Sequence, residues 1–175
     1  MASELEEIFS SYPVDEPAVP EGNPPDKVLV ELGRLVWAAI NLEDVVWTFC
    51  RAVEPYDLFD RSPVGTRINH ALTALKKRPD GGLRQRAAAW LSEAKAALED
   101  RNEIVHSTPG ELIAMLGAPE PGTWLIHFPN DPTKPAVHRA FTVDSLRAIR
   151  LRLEEARGGW SDLSPELWET RPRGE

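Results

Sequence analysis

The chain of 175 residues has one cysteine, four histidines and no apolar run near the roughly 18 residues that read as a membrane span. Cys50 alone forms no internal disulfide and anchors no zinc cluster; inside a helical pattern it reads as a buried, inert thiol. The start, Met1 to Glu7, lacks the basic residues and apolar stretch of a signal peptide, so a cytosolic, membrane-free protein is expected. A basic surplus is missing as well. Twenty Lys and Arg against 28 Asp and Glu leave a net charge of −8, which by itself argues against a nucleic-acid partner. What remains is 42% hydrophobic and 27% charged, enough apolar material for one domain with its own core.

The charge is unevenly spread. Residues 1–60 carry 3 basic and 13 acidic groups, residues 61–106 carry 9 and 5, and residues 107–175 carry 8 and 10. The basic excess therefore falls in the middle third. Arg61, Arg67, Lys76, Lys77, Arg78, Arg84 and Arg86 form either a local phosphate-attracting surface or a solvated helix face.

Residues 1–25 read as an acidic, proline-rich arm with too few large apolar groups to fold alone. Apolar residues then recur at spacings of three and four. They predict a first helix from Asp26 to Val53, with Val28, Leu32, Leu35, Val36, Ala39, Ile40, Leu42, Val46, Phe49 and Val53 inward. Trp37 and Trp47 widen that face beyond the needs of one neighbour, which suggests a dimer seam or a tight core. Ser62-Pro63 predicts the N-cap and first turn of a second helix reaching Lys77. Within it, His70 reads as a surface or core-edge histidine. After the turn Arg78 to Gly82, a third helix runs from Leu83 to Val105, with Trp90, Leu91, Leu98, Arg101, Ile104 and Val105 in its inward stripe.

Beyond Ser107-Thr108-Pro109-Gly110 the period changes. Residues 123–128 and 136–141 have strand character and predict a β-hairpin, with His127 and His138 on its solvated face. A last helix begins at Thr142 to Asp144 and is expected to stop at Gly158-Gly159. Residues 158–175 are left as a tail whose Trp160, Leu163, Leu167 and Trp168 can dock. The expected fold is all-α: an up-down four-helix bundle over residues 26–157 with a short hairpin inserted between helices three and four.

Chemistry concentrates in Arg101-Asn102-Glu103-Ile104-Val105-His106, which closes the third helix. Arginine holds phosphate through planar charge-assisted hydrogen bonds, histidine moves protons near neutral pH, and an amide orients either. The combination suits phosphodiester cleavage in RNA without a metal or cofactor. The alternative is a surface Arg and His complementing the dipole of a helix end. Arg101 falls in the inward stripe, where an arginine is uncommon unless it is paired or lines a cleft. Glu43 and Asp44, which interrupt the apolar face of the first helix, are candidates to support it.

Four helices, with Arg-polar-x-x-x-His closing the third, resemble the HEPN superfamily over roughly residues 26–157. The resemblance implies a helical bundle that pairs through its motif helices. In many members it implies a metal-independent endoribonuclease, including toxins of toxin–antitoxin pairs and phage-defence nucleases. It carries over onto Arg101, Asn102 and His106 as catalytic residues. One toxin branch has a tyrosine two residues after the histidine, which its partner enzyme modifies. Thr108 stands there, so that antitoxin is not assigned and any inhibitor is unidentified.

On an ideal helix Asn102 and His106 share a face, whereas Arg101 and His106 lie about 140° apart and about 7.5 Å along the axis. Either the helix loosens near Val105-His106, or two copies complete a shared cleft. The second choice predicts a homodimer with a composite site and RNA as substrate. The rival function is a non-catalytic helical dimer that binds RNA or protein.

Overall fold

The computed structural model describes residues 26–53, 62–78, 81–109, 122–127 and 139–169; the side chains of residues 108–109, 126–127 and 168–169 are outside that description. The arm at residues 1–25, Arg61, His138 and the side chains of His127 and Trp168 therefore lie outside the described residues. Within them are four helices: α1 (Asp26–Val53), α2 (Val64–Lys76), α3 (Gly82–Val105) and α4 (Val143–Glu169). Three short strands, β1 (Ser107–Pro109), β2 (Leu125–His127) and β3 (Arg139–Phe141), lie between α3 and α4. No described helix is long and apolar enough to cross a membrane.

α1 forms because its apolar residues return every three or four positions. Val28, Leu35, Leu42, Val46, Phe49 and Val53 are all buried along one stripe. α1 packs most extensively on α4, which also takes the next largest contact, with α3. Glu31 is buried in the α1–α4 seam because Arg150 donates its Nε–H to Glu31 Oε1 at 2.6 Å. The hydrogen bonds to Glu31 and Glu154 raise the Arg150 pKa.

Side-chain contacts fix the helix directions. Glu43 meets Arg101 and Phe49 meets Trp90, so α1 and α3 are antiparallel. One cavity brings residues 64–69 of α2 beside residues 95–102 of α3, and another brings Leu72 and Leu75 beside Arg84 and Ala88. α2 is thus antiparallel to α3 and runs with α1. The expected up-down alternation fails at this step.

Several local expectations also change. α2 is capped by Pro63 rather than Ser62, with no side-chain cap hydrogen bond. Val36 and Ile40 were placed inward but are 38% and 52% exposed, because the apolar arc of α1 is wider than its neighbours cover. Val105, also expected inward, is 53% exposed, since the chain leaves α3 there.

α4 does not stop at Gly158-Gly159 but continues to Glu169. Glycine disfavours a helix interior by about 1 kcal/mol, and packing overrides it here. A Cβ on Gly159 would lie 3.0 Å from Trp90 Cδ1, so the bare backbone lets α4 close on the indole. Trp90 Nε1 donates to Ala156 O at 2.7 Å, and Phe49, Trp90 and Trp160 meet with centroids 5.1 to 6.0 Å apart. Residues 158–169 therefore belong to the helical body. Thr142 caps α4 reciprocally: its Oγ1 accepts from Ser145 N, and its own N–H donates to Ser145 Oγ.

The hairpin is present as β2–β3, with Leu125 opposite Phe141 and both side chains buried. β1 adds an unexpected third strand, antiparallel to β2, giving the order β1-β2-β3. Its Pro109 donates no hydrogen bond and is tolerated on an edge strand.

Candidate functional site

α3 reaches its end as a regular helix. His106 is its C-cap (φ −95°, ψ 10°), and its backbone N–H donates to Asn102 O at 3.2 Å. The helix does not loosen before the histidine. Ser107 begins β1 at once, and its hydroxyl donates to Glu103 O at 2.6 Å. Arg139 of β3 ties the sheet to the same stretch through Glu103 at 2.5 Å and Asp100 at 3.6 Å. His106 thus sits, exposed, at the joint between the helical body and the sheet.

Arg101 turns toward α1, where its Nη2 donates to Glu43 Oε1. The pair is partly buried, with side chains 22% and 29% exposed. Burial lowers the Arg101 pKa. Its Nε is buried with no hydrogen-bond partner. A planar fork held by a carboxylate at one end keeps donors in a fixed orientation.

Arg101, Asn102 and Glu43 border a cavity of about 620 Å³. Its walls are simple to derive. Glu43 and Trp47 are one turn apart on α1, and Lys95, Leu98, Glu99 and Asn102 form an i, i+3, i+4, i+7 stripe on α3. The start of α2, from Pro63 to Asn69, supplies the third side. Trp47 is fixed in part by Arg67, whose guanidinium lies 5.8 Å from the ring centroid. Lys95 pairs with Glu99 at 3.7 Å. The cavity therefore carries two cations and two carboxylates, and its own net charge is near zero.

Of the predicted site residues, the structure brings Arg101, Asn102 and Glu43 together. His106 and Asp44 do not line the cavity; Asp44 is exposed on α1. Trp47, Asn69 and Lys95 were not anticipated as site residues. The position of Trp47 one turn beyond Glu43 was the available signal, but it acquires meaning only once α2 is known to run alongside α1.

Among the described residues the basic cluster does not surround the motif, and Arg67 alone approaches it, over Trp47 of the same cavity. Arg84 and Arg86 lie near the start of α3, roughly 22–26 Å along the axis from Arg101. Arg67 is buried, Arg78 donates to Val53 O at 3.0 Å, and Arg86 pairs with Glu166. These cations serve the fold. Among the described residues, no group of three or more His, Cys, Asp and Glu is placed to hold a metal ion.

No protein-family model, curated protein or solved structure matches the chain.

Proposed function

We propose that the chain is a metal-independent endoribonuclease of HEPN type, acting as a homodimer in a toxin or phage-defence role. The observation that carries this reading is Arg101. It is an arginine near the end of the third helix, oriented by Glu43 at the edge of a cavity beside Asn102, with His106 capping the same helix.

In this scheme the 2′-oxygen of RNA attacks the adjacent phosphorus. The 2′-proton passes to a base, the P–O5′ bond breaks, and the leaving 5′-oxygen takes a proton. His106 serves as base or acid. Arg101 holds the non-bridging oxygens and stabilises their added charge, while Asn102 binds phosphate or orients His106. The products carry a 2′,3′-cyclic phosphate and a 5′-hydroxyl.

Dimerisation is part of the proposal for two reasons. The helix is regular up to Val105, so Arg101 and His106 of one copy diverge. α1 also exposes Leu29, Val30, Val36, Trp37 and Ile40, a surplus of apolar surface that a second copy would cover. The second reading, a non-catalytic RNA-binding or protein-interaction dimer, is favoured by the charge balance of the cavity, where Glu43 already occupies Arg101.

Purified protein is incubated with RNA in excess chelator beside His106→Ala and Arg101→Ala, each verified as folded and of unchanged oligomeric state. Cleavage by wild type alone, leaving cyclic-phosphate ends, is the expected result. A strict metal requirement, or equal activity of His106→Ala, rejects the scheme.

A further inference from the structure

A phosphodiester occupies little of a 620 Å³ cavity. That volume lies within the roughly 300–1,000 Å³ range of sites that hold whole small molecules. Lining and charge narrow the occupant. Leu98, Ile68 and Val64 make part of the lining apolar, and Trp47 adds an indole already steadied by Arg67. The cations Arg101 and Lys95 are matched by Glu43 and Glu99. A polyanionic backbone gains little from such a balanced interior, whereas an uncharged, planar, hydrogen-bonding group suits it. At the mouth, Asn69 presents an exposed amide, a group that donates and accepts at once. Arg101 supplies the transition from base to phosphate. Its Nε has no acceptor, and it stands at the α3 edge of the cavity next to Asn102.

The geometry points to a nucleobase pocket. The cavity takes one unstacked base of single-stranded RNA, stacked on Trp47 and read at its edge by Asn69, beside the phosphate that Arg101 holds. This rests on the endoribonuclease reading above and adds a substrate class to it. The site acts on flexible, unpaired RNA, because only there can a base swing out of its stack onto an aromatic side chain. It also gives the enzyme a base preference at one position next to the cut. Trp47 and Asn69 are binding residues in this account, and neither transfers a proton.

The test uses the whole 175-residue chain and two readouts. Cleavage is followed on four single-stranded RNAs that differ at one position, and on a duplex of the same length. Binding of the same RNAs is measured with His106→Ala, in which turnover is suppressed. Wild type is expected to prefer one base and to leave the duplex intact. Trp47→Ala should weaken single-strand binding on the order of 10-fold, with Trp47→Phe recovering most of it. Asn69→Ala should flatten the base preference more than it lowers the rate on the poorest substrate.

If RNA is cleaved but the variants keep the wild-type preference and affinity, the pocket assignment is overturned and the endoribonuclease reading stands. Single strands bound through Trp47 without cleavage keep the pocket and remove the catalysis. A folded dimer that neither binds nor cleaves any of these RNAs removes both.

Discussion

Trp90 and Arg101 both face inward from α3, about three turns apart, yet their surroundings differ in kind. Around Trp90 the packing is close, and the indole is buried. Its ring meets Phe49 and Trp160, its one polar hydrogen is satisfied by Ala156 O, and a glycine lets α4 approach. Around Arg101 the packing is left open. A carboxylate meets one end of the guanidinium, its Nε has no partner, and a cavity borders the rest. Closing the second region as tightly as the first would be simple with a leucine at 101. The contrast separates a region closed by close packing from one that keeps a partly buried polar group beside open space.

The sharpest way to test this contrast is to alter each end and read both rate and stability. Under the proposed endoribonuclease scheme, His106→Ala should lower RNA cleavage on the order of 10²–10⁴-fold. Because His106 is exposed, its unfolding free energy should change by no more than about 0.5 kcal/mol. Denaturant unfolding beside initial rates separates the two. Trp90→Ala should do the reverse, costing about 3–5 kcal/mol in a urea titration through the cavity it leaves.

The adjacent glycines give a finer comparison. Gly159→Ala pushes a methyl against an indole anchored by hydrogen bond and stacking, and should destabilise by about 1–3 kcal/mol. At Gly158 an added Cβ meets nothing within 4 Å. Gly158→Ala should therefore stabilise by up to about 1 kcal/mol, through helix propensity alone. A shared sign for the two in thermal or chemical denaturation would contradict the packing described. Between them in size, Glu43→Gln keeps an acceptor near Arg101 but removes the charge, and should cost about 1 kcal/mol. A larger loss would mean that the motif end contributes more to stability than its open packing implies.

The same contrast explains what the sequence revealed. The helices were legible where burial is regular, and the span of α1 follows directly from spacings of three and four. The end of α4 was not, because Gly158-Gly159 reads locally as a stop while its reason for continuing, Trp90, lies on another helix. β1 was hidden by brevity and by Pro109. At the site, Arg101, Asn102 and His106 stood out as a pattern, and Glu43 as an acid breaking an apolar face. Trp47, Asn69 and Lys95 did not, since nothing local announces that α2 returns to run beside α1. Basic residues close to the motif in sequence proved distant in space for a related reason: a helix converts sequence separation into length.

That length has a mechanical consequence. α3 is a stiff rod gripped near Trp90 and again through the ion pairs of Asp100, Arg101 and Glu103, with His106 sixteen residues, roughly 24 Å, beyond Trp90. Productive chemistry tolerates displacements of only about 0.5 Å. Over such a lever arm, that tolerance corresponds to a tilt of about one degree. Two grips on one rod therefore fix the direction of its end more firmly than the aromatic grip alone could.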